Sequence, residues 1–595
     1  MFRYIFLILL WTVCHSLLWS QNILHQPLVG GVTHNSARLF VWSADTSEVT
    51  VYYTLEPFNW DQANVLTLKP GKDNAVTFDL TNLLSDTSYF YKVKIKDSET
   101  AVHGFKTLPA PSYKGYLNFA FGSCQSFRSL PPNEPVFDVI KRYNPRLFLQ
   151  CGDWGYPDST DKYPQDSNFF ALSYQRVLDT YHARYFGGQF HQLFMTTPID
   201  YVYDDHDYVN DNSSAYSSSI YGNKFTEVPF SPTARRNIID AYHHLFPHYD
   251  LPDTSKGIYH TIRMGNVELF VCDNRADRSP NLNSLKNSGN DIYVFDPPAD
   301  HSILGETQMQ WLLNGLKNST AQWKFIVTGV SFNKGYKKVI DAISGNATIQ
   351  NFSFPGLDFS PKSLLGSVVD TWAGFPQDQD RLIQFTKDQN IKNVIFLTSD
   401  SHTSAMDDGT NAGLPEVMAG NLAQTNSRLA WVMANARTLP IIGNLINADL
   451  SAWNGGGQGL GNNNFNNAFG NIEVFGDDSV RCKLIDERGA LIATMVICAD
   501  GKPCKSTSRP TNSPQNTLLL YPNPAQNILN ITLTDKQYLN PHTIIYVTDV
   551  LGKKIRTIVP TADHVTVNIQ DFTAGLYYVM IVSEKGNFVK SFTKE

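Results

Sequence analysis

The sequence predicts an α/β protein with two additional β-sandwich modules, and three observations support this fold class. Residues 27–108 alternate apolar and polar side chains as short strands do, whereas residues 116–497 contain β-branched and aromatic runs that end in polar clusters. Residues 501–516 (GKPCKSTSRPTNSPQN) are polar and rich in proline and serine, which is typical of a tether, and a second strand-rich segment spans 517–595. At 595 residues, the chain is long enough for several domains.

The amino terminus predicts a secretory signal peptide over residues 1–20. Arg3 precedes an apolar stretch from Tyr4 to Val13, which is short for a membrane span. Cleavage near Ser20 would export the mature chain and make disulfides possible. No later segment is apolar enough to be expected to cross a bilayer.

Residues 27–108 predict a small β-sandwich with a scaffolding role. The alternating runs 37–42 (ARLFVW) and 49–53 (VTVYY) are short strands separated by turns. The closing segment 83–91 (LLSDTSYFY) resembles the end of fibronectin type III modules. Residues 109–114 are expected to link this module to the next domain.

Overall composition is ordinary for a globular protein. Hydrophobic residues make up 42% of the chain and aromatic residues 12%, so a sizeable core is expected. The formal net charge of −7 argues against nucleic acid as an electrostatic partner.

Four short polar clusters each follow a strand-like run. They are residues 122–124 (GSC), 152–156 (GDWGY), 204–207 (DDHD) and 399–402 (SDSH), after the runs 117–121, 147–149, 201–203 and 394–397. Because ligands of layered α/β proteins bind outside the carboxyl ends of the strands, the four clusters could converge on one point. Carboxylate, phenolate, thiolate and imidazole groups together are suited to cations.

Each cluster also has a structural interpretation. Cys124 could be a buried thiol, Asp153 and Tyr156 could form a turn beside a packed ring, and residues 204–207 could be a solvated acidic loop. The joint occurrence of all four clusters at strand ends favours a metal site.

Residues 116–497 resemble the PhoD-like alkaline phosphatases, a branch of the calcineurin-like metallophosphoesterases. The resemblance rests on the order of the four clusters, on a D-x-R motif at 273–275 and on an L-G-x-x-Q-x-x-W-L helix at 304–312. It implies a four-layer αββα core that hydrolyses phosphate esters. Ser399 is a departure, since the family usually has glycine at this position.

Hydrolysis of a phosphate ester needs a hydroxide and a sink for the charge on the phosphoryl group. Two metal ions about 3.5–4 Å apart supply both, by activating a bound water and by holding the phosphoryl oxygens. The predicted ligands are Cys124, Tyr156 and His402 on one ion, Asp205 and Asp400 on the other, and Asp153 as the bridge. A phenolate and a thiolate favour Fe³⁺, as the resemblance also implies, and the carboxylates suit a harder ion such as Ca²⁺.

Two further residues are predicted to act on the substrate. His206 is the candidate general acid or phosphate contact beside the leaving group. Arg275 suits bidentate contact with a phosphate, although a structural ion pair is an equal alternative for an arginine after a strand. Pocket walls are expected from loops at 208–226 and 333–366.

The carboxyl-terminal segment predicts a second β-sandwich. It contains 518–525 (LLLYPNPA), 549–554 (DVLGKK) and 574–578 (AGLYY), that is, alternating strands with glycine turns. In this order they resemble the sorting domain of the type IX secretion system, which implies passage through the outer membrane of a Gram-negative bacterium, followed by surface attachment or release.

Six cysteines remain after the predicted signal peptide. Cys124 is assigned to the metal, and Cys151 and Cys272 are expected to pack within strands. One disulfide is predicted among Cys482, Cys498 and Cys504, and the sequence does not choose the pair.

The leading functional hypothesis is extracellular hydrolysis of phosphomonoesters or phosphodiesters for phosphate acquisition. One alternative is a phosphodiesterase or phospholipase D-like enzyme that acts on polymers or lipid head groups. Another is a surface-binding protein without activity, against which the intact set of ligands argues. The sequence does not specify the oligomeric state.

Overall fold

The structure, a computed structural model, describes residues 22–126, 135–156, 170–185, 192–208, 212, 214, 220–221, 224–225, 231–352, 360–423, 452–457, 467–504, 518–533, 543–549, 554–560, 562–583 and 586–595. It divides into two compact units, residues 1–504 and 505–595. The predicted signal peptide and most of the predicted tether lie outside the described residues.

The first unit contains the larger set of strands. They are β1 (Ile23–Gly30), β2 (Ala37–Ser43), β3 (Val49–Thr54), β4 (Asn64–Leu68), β5 (Ala75–Leu80), β6 (Ser88–Ile95), β7 (Ser98–Glu99), β8 (His103–Lys106), β9 (Tyr116–Gly122), β10 (Gln125–Ser126), β11 (Phe148–Gln150), β12 (Trp154–Gly155), β13 (Ile199–Tyr201), β14 (Ile220–Tyr221), β15 (Lys224–Phe225), β16 (His260–Met264), β17 (Val267–Val271), β18 (Leu285–Asn287), β19 (Tyr293–Phe295), β20 (Trp323–Val327), β21 (Val394–Thr398), β22 (Ser404–Asp407), β23 (Glu416–Ala419), β24 (Gly456–Gly457), β25 (Ala468–Phe475), β26 (Ser479–Asp486) and β27 (Leu491–Cys498).

The α-helices of the described residues belong to the same unit. They are α1 (Pro135–Tyr143), α2 (Tyr174–Tyr185), α3 (Asp205–Tyr208), α4 (Pro232–Leu245), α5 (Gly305–Asn318), α6 (Lys337–Ile343), α7 (Ala347–Gln350), α8 (Pro361–Asp370) and α9 (Pro376–Asp388). Residues 333–366, predicted as a loop, contain α6, α7 and the start of α8. That prediction was wrong because the apolar residues of α6 and α8 form a small buried cluster of their own.

Strands β1, β2 and β5 are antiparallel, and β3, β4, β6 and β7 form a separate sheet with β8 paired to β6. Strand β1 also pairs in parallel with β13 through Gly30 and Ile199. Strands β1, β2 and β5 therefore form one end of a nine-stranded sheet, whose order is β27-β26-β25-β9-β11-β13-β1-β2-β5. Side chains of the amino-terminal strands belong to the same hydrophobic cluster as those of β9, β11 and β13.

A seven-stranded sheet in the order β16-β17-β20-β21-β23-β22-β24 faces the nine-stranded sheet. Side chains alternate between the two faces of a strand, and in β20 Phe325 packs edge-to-face on Phe119 of β9, while Ile326 belongs to a second cluster with α5 and α9. On the other side, Asn118 of β9 donates to the Tyr143 carbonyl at the end of α1. Helices thus cover the outer face of each sheet.

Strands β9, β11 and β13 are adjacent and parallel, so their carboxyl ends meet at one edge of the sheet. The expected strand at 201–203 lies two residues earlier, at Ile199–Tyr201. The Val202 N–H still donates to Gln150 of β11, whereas the Asp204 N–H is bound by the Asp207 carboxylate, at 2.8 Å.

The second unit contains β28 (Leu518–Tyr521), β29 (Ile528–Leu533), β30 (Ile544–Asp549), β31 (Lys554–Ile558), β32 (His564–Asn568), β33 (Gly575–Ser583) and β34 (Gly586–Lys594). They form the sheets β28-β29-β32 and β31-β30-β33-β34. Both sheets contribute to one hydrophobic cluster, whose members all lie within this unit.

The disulfide of the first unit joins Cys498 and Cys504, which resolves the choice that the sequence left open. Cys482 is a buried free thiol, as are Cys151 and Cys272. In the described part of the chain, no helix is both long and apolar enough to cross a membrane.

Candidate metal centre

Cys124 lies directly after β9, where the chain enters a tight turn. Its Sγ is 3.6 Å from Oδ2 of Asp153 and 3.2 Å from the carbonyl oxygen of Asp400. The backbone of the turn is bound on two sides, because Cys124 N–H donates to the Gly152 carbonyl and Ala423 N–H donates to the Cys124 carbonyl. The first, second and fourth predicted clusters are therefore in contact here.

Asp153 and Tyr156 occupy the turn after β11. Gly152 begins it with a φ of +105°, and a Cβ at this position would lie 2.4 Å from Cβ of Asp204. Only glycine therefore allows the second and third clusters to approach so closely. The hydroxyl of Tyr156 is 2.7 Å from Nε2 of His402, so two side chains predicted to bind the same ion are in direct contact.

Five of the six predicted ligands have a left-handed backbone. Their φ angles are +59° at Cys124, +55° at Asp153, +45° at Tyr156, +71° at Asp400 and +51° at His402. This conformation is uncommon for residues other than glycine and clusters at functional sites, where surrounding contacts maintain it. Asp205 differs from the other five because it is the first residue of the short helix α3.

Asp205 and His206 start α3, directly beside the turn of Asp153. The Asp205 carboxylate accepts hydrogen bonds from the backbone N–H of His206, at 2.9 Å, and of Asn212, at 2.5 Å. The ring of His206 lies 4.3 Å from the ring of Tyr156, and 9% of the residue is exposed. His206 is thus placed at the edge of the cluster, where a substrate could reach it.

Ser399 occupies the position where the resemblance predicts glycine. Its Oγ donates to the carbonyl oxygens of Gly329, at 2.6 Å, and Cys151, at 3.1 Å. The hydroxyl therefore connects the end of β21 to the ends of β11 and β20.

The potential ligand atoms form three groups in which all atoms lie within 4.8 Å of one another. The groups are Cys124, Asp153 and His402; Asp153, Asp205 and His206; and Asp204, Asp205 and Asp400. Asp153 is shared by the first two groups and Asp205 by the last two. The donor atoms therefore belong to one continuous centre that is large enough for more than one ion.

Asp204 is a candidate ligand that the sequence analysis did not select. Its Oδ1 accepts from Nε of Arg275, while its Oδ2 is buried and has no hydrogen-bond partner among the described residues. A buried oxygen of this kind is costly unless a cation satisfies it. The available signal was its place in the same post-strand cluster as Asp205.

Arg275 is fully buried behind the centre. Its guanidinium donates to Asp204 and, through Nη1 and Nη2 at 2.8 Å each, to both oxygens of Asp370. Of the two roles considered for this arginine, the geometry favours the structural ion pair. Asp273 of the same motif accepts from the backbone N–H groups of Arg275 and Ala276 and so shapes the turn.

Gln308 of helix α5 binds the backbone of Asp273. Its Oε1 accepts from the Asp273 N–H at 2.8 Å, and its Nε2 donates to the Asp273 carbonyl at 2.7 Å. The side chain thus satisfies both backbone groups of one residue, which anchors the helix to the turn after β17.

Electrostatics show that the centre suits cations. Burial raises the pKa of Asp153 and Asp400 well above the usual range, and neighbouring carboxylates raise it further. Burial likewise raises the pKa of Asp204 to about 7. Although burial opposes it, the nearby His206 and Arg275 lower the pKa of Asp205 to about 2.

Burial also raises the pKa values of the Cys124 thiol and the Tyr156 phenol, both of which bind metals in their deprotonated forms. When the carboxylates, the thiol and the phenol are ionised, their negative charges repel one another in a site with little water. Bound cations would neutralise these charges. The donor set therefore fits the two ions that the sequence analysis predicts.

A mixed α/β fold with such a donor set at its strand ends defines the class of metal-dependent phosphoester hydrolases. The chain belongs to the PhoD-like phosphatase family, whose model matches residues 119–431. Residues 519–595 match the secretion system C-terminal sorting domain. Both matches confirm the resemblances drawn from the motifs.

Individual relatives agree with this placement. Alkaline phosphatase D of Bacillus subtilis (strain 168) is 27% identical over 362 residues, which cover 56% of this chain and 54% of the relative. This chain thus spans about half the length of that curated relative. The solved structure of PhoD is 19% identical, with a TM-score of 0.58, and the match covers 82% of this chain and 93% of that one.

A purple acid phosphatase from yellow lupin (Lupinus luteus) seeds is more distant. It is 10% identical, with a TM-score of 0.46, and the match covers 79% of this chain and 74% of that one.

Proposed function

We propose that this protein is a secreted, metal-dependent phosphoesterase that hydrolyses phosphomonoesters, phosphodiesters or both, for phosphate acquisition. The observation that carries the proposal is the convergence of five predicted ligands on one continuous donor set, in which Cys124, Asp153 and Asp205 are buried and Asp400 and His402 are half-buried. Membership of a phosphatase family supports the reaction class. Alkaline phosphatase D of Bacillus subtilis is the named relative that supports it further.

Within this proposal, Cys124, Tyr156 and His402 would hold Fe³⁺, Asp205 and Asp400 would hold Ca²⁺, and Asp153 would be a ligand of both ions. When bound, the two ions supply an activated water and positive charge for the phosphoryl group. Asp204 is an additional oxygen donor on the side of the second ion, because a carboxylate oxygen of Asp204 lies in the same group as Asp205 and Asp400.

His206 is proposed to protonate the leaving group or to contact the phosphate. It stands beside the centre, where its ring packs on Tyr156 and its backbone N–H donates to the Asp153 carboxylate. We do not propose that Arg275 contacts the phosphate, since its guanidinium is occupied by Asp204 and Asp370. Its proposed role is to hold Asp204 in place.

Export is proposed to require both ends of the chain, a signal peptide over residues 1–20 and the type IX machinery acting on the carboxyl-terminal unit. The sorting-domain match at 519–595 supports the second part.

Residues 27–108 are proposed to be a fibronectin type III-like scaffold. The pairing of β1 with β13 supports a scaffolding role, because it connects these strands to the sheet that carries the site.

The proposed function is tested by assaying the purified protein on a nitrophenyl monoester and on a bis-nitrophenyl diester, with metal analysis of the same sample. Hydrolysis of at least one substrate by a protein that contains iron and a divalent ion is the expected result. A metal-free protein that hydrolyses neither would support the surface-binding alternative and refute the proposal.

Substitution of Tyr156 by phenylalanine tests the identity of the first metal. A phenolate bound to Fe³⁺ gives a charge-transfer band in the visible range, which neither Ca²⁺ nor Zn²⁺ can produce with tyrosine. Tyr156→Phe keeps the ring that packs on His206 and removes only the oxygen that contacts His402. We expect the variant to fold, to bind iron more weakly and to lose or shift the band.

A matched control for this substitution is Tyr249→Phe. Tyr249 is equally buried, but its hydroxyl donates to the Val32 carbonyl and is not among the predicted ligands. The visible spectrum and the iron content of the Tyr249→Phe variant should equal those of the native protein. An unchanged spectrum and iron content in Tyr156→Phe would remove Tyr156 from the ligand set.

A further inference from the structure

Asp207 is a fully buried carboxylate that ends the DDHD cluster without joining any of the donor groups. Its Oδ2 accepts from the backbone N–H of Asp153, at 2.9 Å, and of Asp204, at 2.8 Å. Its Oδ1 accepts from Arg184 and from the Tyr201 hydroxyl, both at 2.6 Å. With four hydrogen bonds already made, both oxygens are committed to the protein rather than to a metal.

Arg184, in the last turn of α2, is the charged partner of Asp207. Its Nη2 binds Asp207, and its Nε donates to the Trp154 carbonyl at 2.7 Å. The guanidinium lies 4.8 Å from the ring centre of Tyr181 and 5.1 Å from that of Tyr201. These rings exclude water and leave Asp207 as the carboxylate that neutralises the arginine.

The pair holds the turn of Asp153 from two directions. Asp207 binds the N–H of Asp153, and Arg184 binds the carbonyl of Trp154, the next residue along the chain. The same carboxylate also binds the N–H of Asp204, one residue before Asp205. One buried side chain therefore connects two segments that each carry a predicted ligand, Asp153 and Asp205. The backbone of Asp153 is left-handed, a conformation that surrounding contacts must maintain.

We propose that Asp207 and Arg184 are positioning residues of the metal centre, whose buried ion pair sets the distance between the segments bearing Asp153 and Asp205. The proposal rests on the proposed function only in that the centre binds metal. Residues that hold metal ligands from behind typically change metal affinity or activity by about 10–100-fold when substituted. The pair should therefore act on metal retention rather than on substrate binding.

The test is the rate at which the full-length, metal-loaded protein releases metal to a chelator, well below the melting temperature of each variant. Asp207→Asn supplies one acceptor oxygen where aspartate supplies two, and it leaves Arg184 charged and buried. We expect release roughly 10–100-fold faster than from the native protein, together with a lower kcat and an unchanged KM.

Asp200→Asn is the matched control. Asp200 is equally buried and pairs with a basic side chain, His260 at 3.0 Å, but that pair connects β13 to β16 and binds neither ligand-bearing segment. We expect this variant to lose stability and to release metal at the native rate. Equal acceleration in both variants would show a general loss of stability and would overturn the proposal.

Arg184→Lys covers the case in which Asp207→Asn does not fold. Lysine keeps the charge opposite Asp207, but its single ammonium does not reproduce the guanidinium fork that reaches both Asp207 and the Trp154 carbonyl. It should fold and release metal faster than the native protein. If the Arg184 and Asp207 variants release metal at the native rate, the positioning role is refuted and the proposed function is not affected. If the native protein itself binds no metal, the proposed function is refuted.

Discussion

Replacing Asp153 by asparagine is expected to lower turnover by roughly three orders of magnitude, equivalent to about 4 kcal/mol of transition-state stabilisation. Asp153 belongs to two of the three donor groups, so its loss affects both proposed ions at once. An amide keeps the size of the side chain but removes the charge that a bridging ligand supplies. The measurements are kcat on the nitrophenyl substrates and the content of each metal per chain.

The control for Asp153→Asn is Asp378→Asn, another buried carboxylate of the same unit. Asp378 accepts from the hydroxyl of Ser302 and from the Ile303 N–H, and it belongs to none of the donor groups. Its substitution should cost stability and leave metal content unchanged. An Asp153→Asn protein with both metals and near-native turnover would exclude Asp153 as the bridge.

Deleting residues 517–595 is expected to abolish export across the outer membrane and to leave catalysis intact. The second unit has a hydrophobic cluster whose members all lie between Leu520 and Phe592, so its removal takes nothing from the core of the first unit. The measurements are phosphoesterase activity in periplasmic, surface and culture fractions, and kcat of the purified truncated protein. Normal export of the truncated chain would contradict the sorting role.

A point substitution separates loss of the sorting signal from loss of chain length. Val547 is fully buried in the hydrophobic cluster of the second unit. Val547→Asp places a charge there and should unfold that unit while the full length is kept. We expect the same retention in the periplasm as for the deletion, whereas a surface substitution such as Thr566→Ser should be exported normally.

The candidate ligands could be predicted because each follows an apolar strand and because their order matches a known family. The roles of these ligands remain predictions, whereas the mixed α/β class, the phosphatase family and the sorting domain are confirmed. These features are local in the chain, since an apolar run and the polar residues after it are adjacent in sequence. Adjacent residues need no knowledge of the rest of the fold to be recognised.

Other properties of the centre depend on residues that are distant in sequence. Arg275 pairs with Asp370, ninety-five positions later, and only that contact distinguishes a structural arginine from a phosphate-binding one. Asp204 and Asp207 have the same side chain in the same motif. One offers an unsatisfied oxygen to the donor set, while the other has both oxygens occupied by Arg184, Tyr201 and backbone N–H groups.

By itself, the sequence determined which segments form strands, which polar clusters lie at their ends and which family the chain belongs to, because hydrophobic periodicity and motif order are properties of short stretches. The tertiary structure decided which carboxylates face the centre, which are committed to ion pairs, and that Cys498 rather than Cys482 pairs with Cys504. The physical reason is that the orientation of a carboxylate depends on the hydrogen-bond donors and positive charges around it. Those donors are brought together only when β9, β11, β13 and β21 end at the same place.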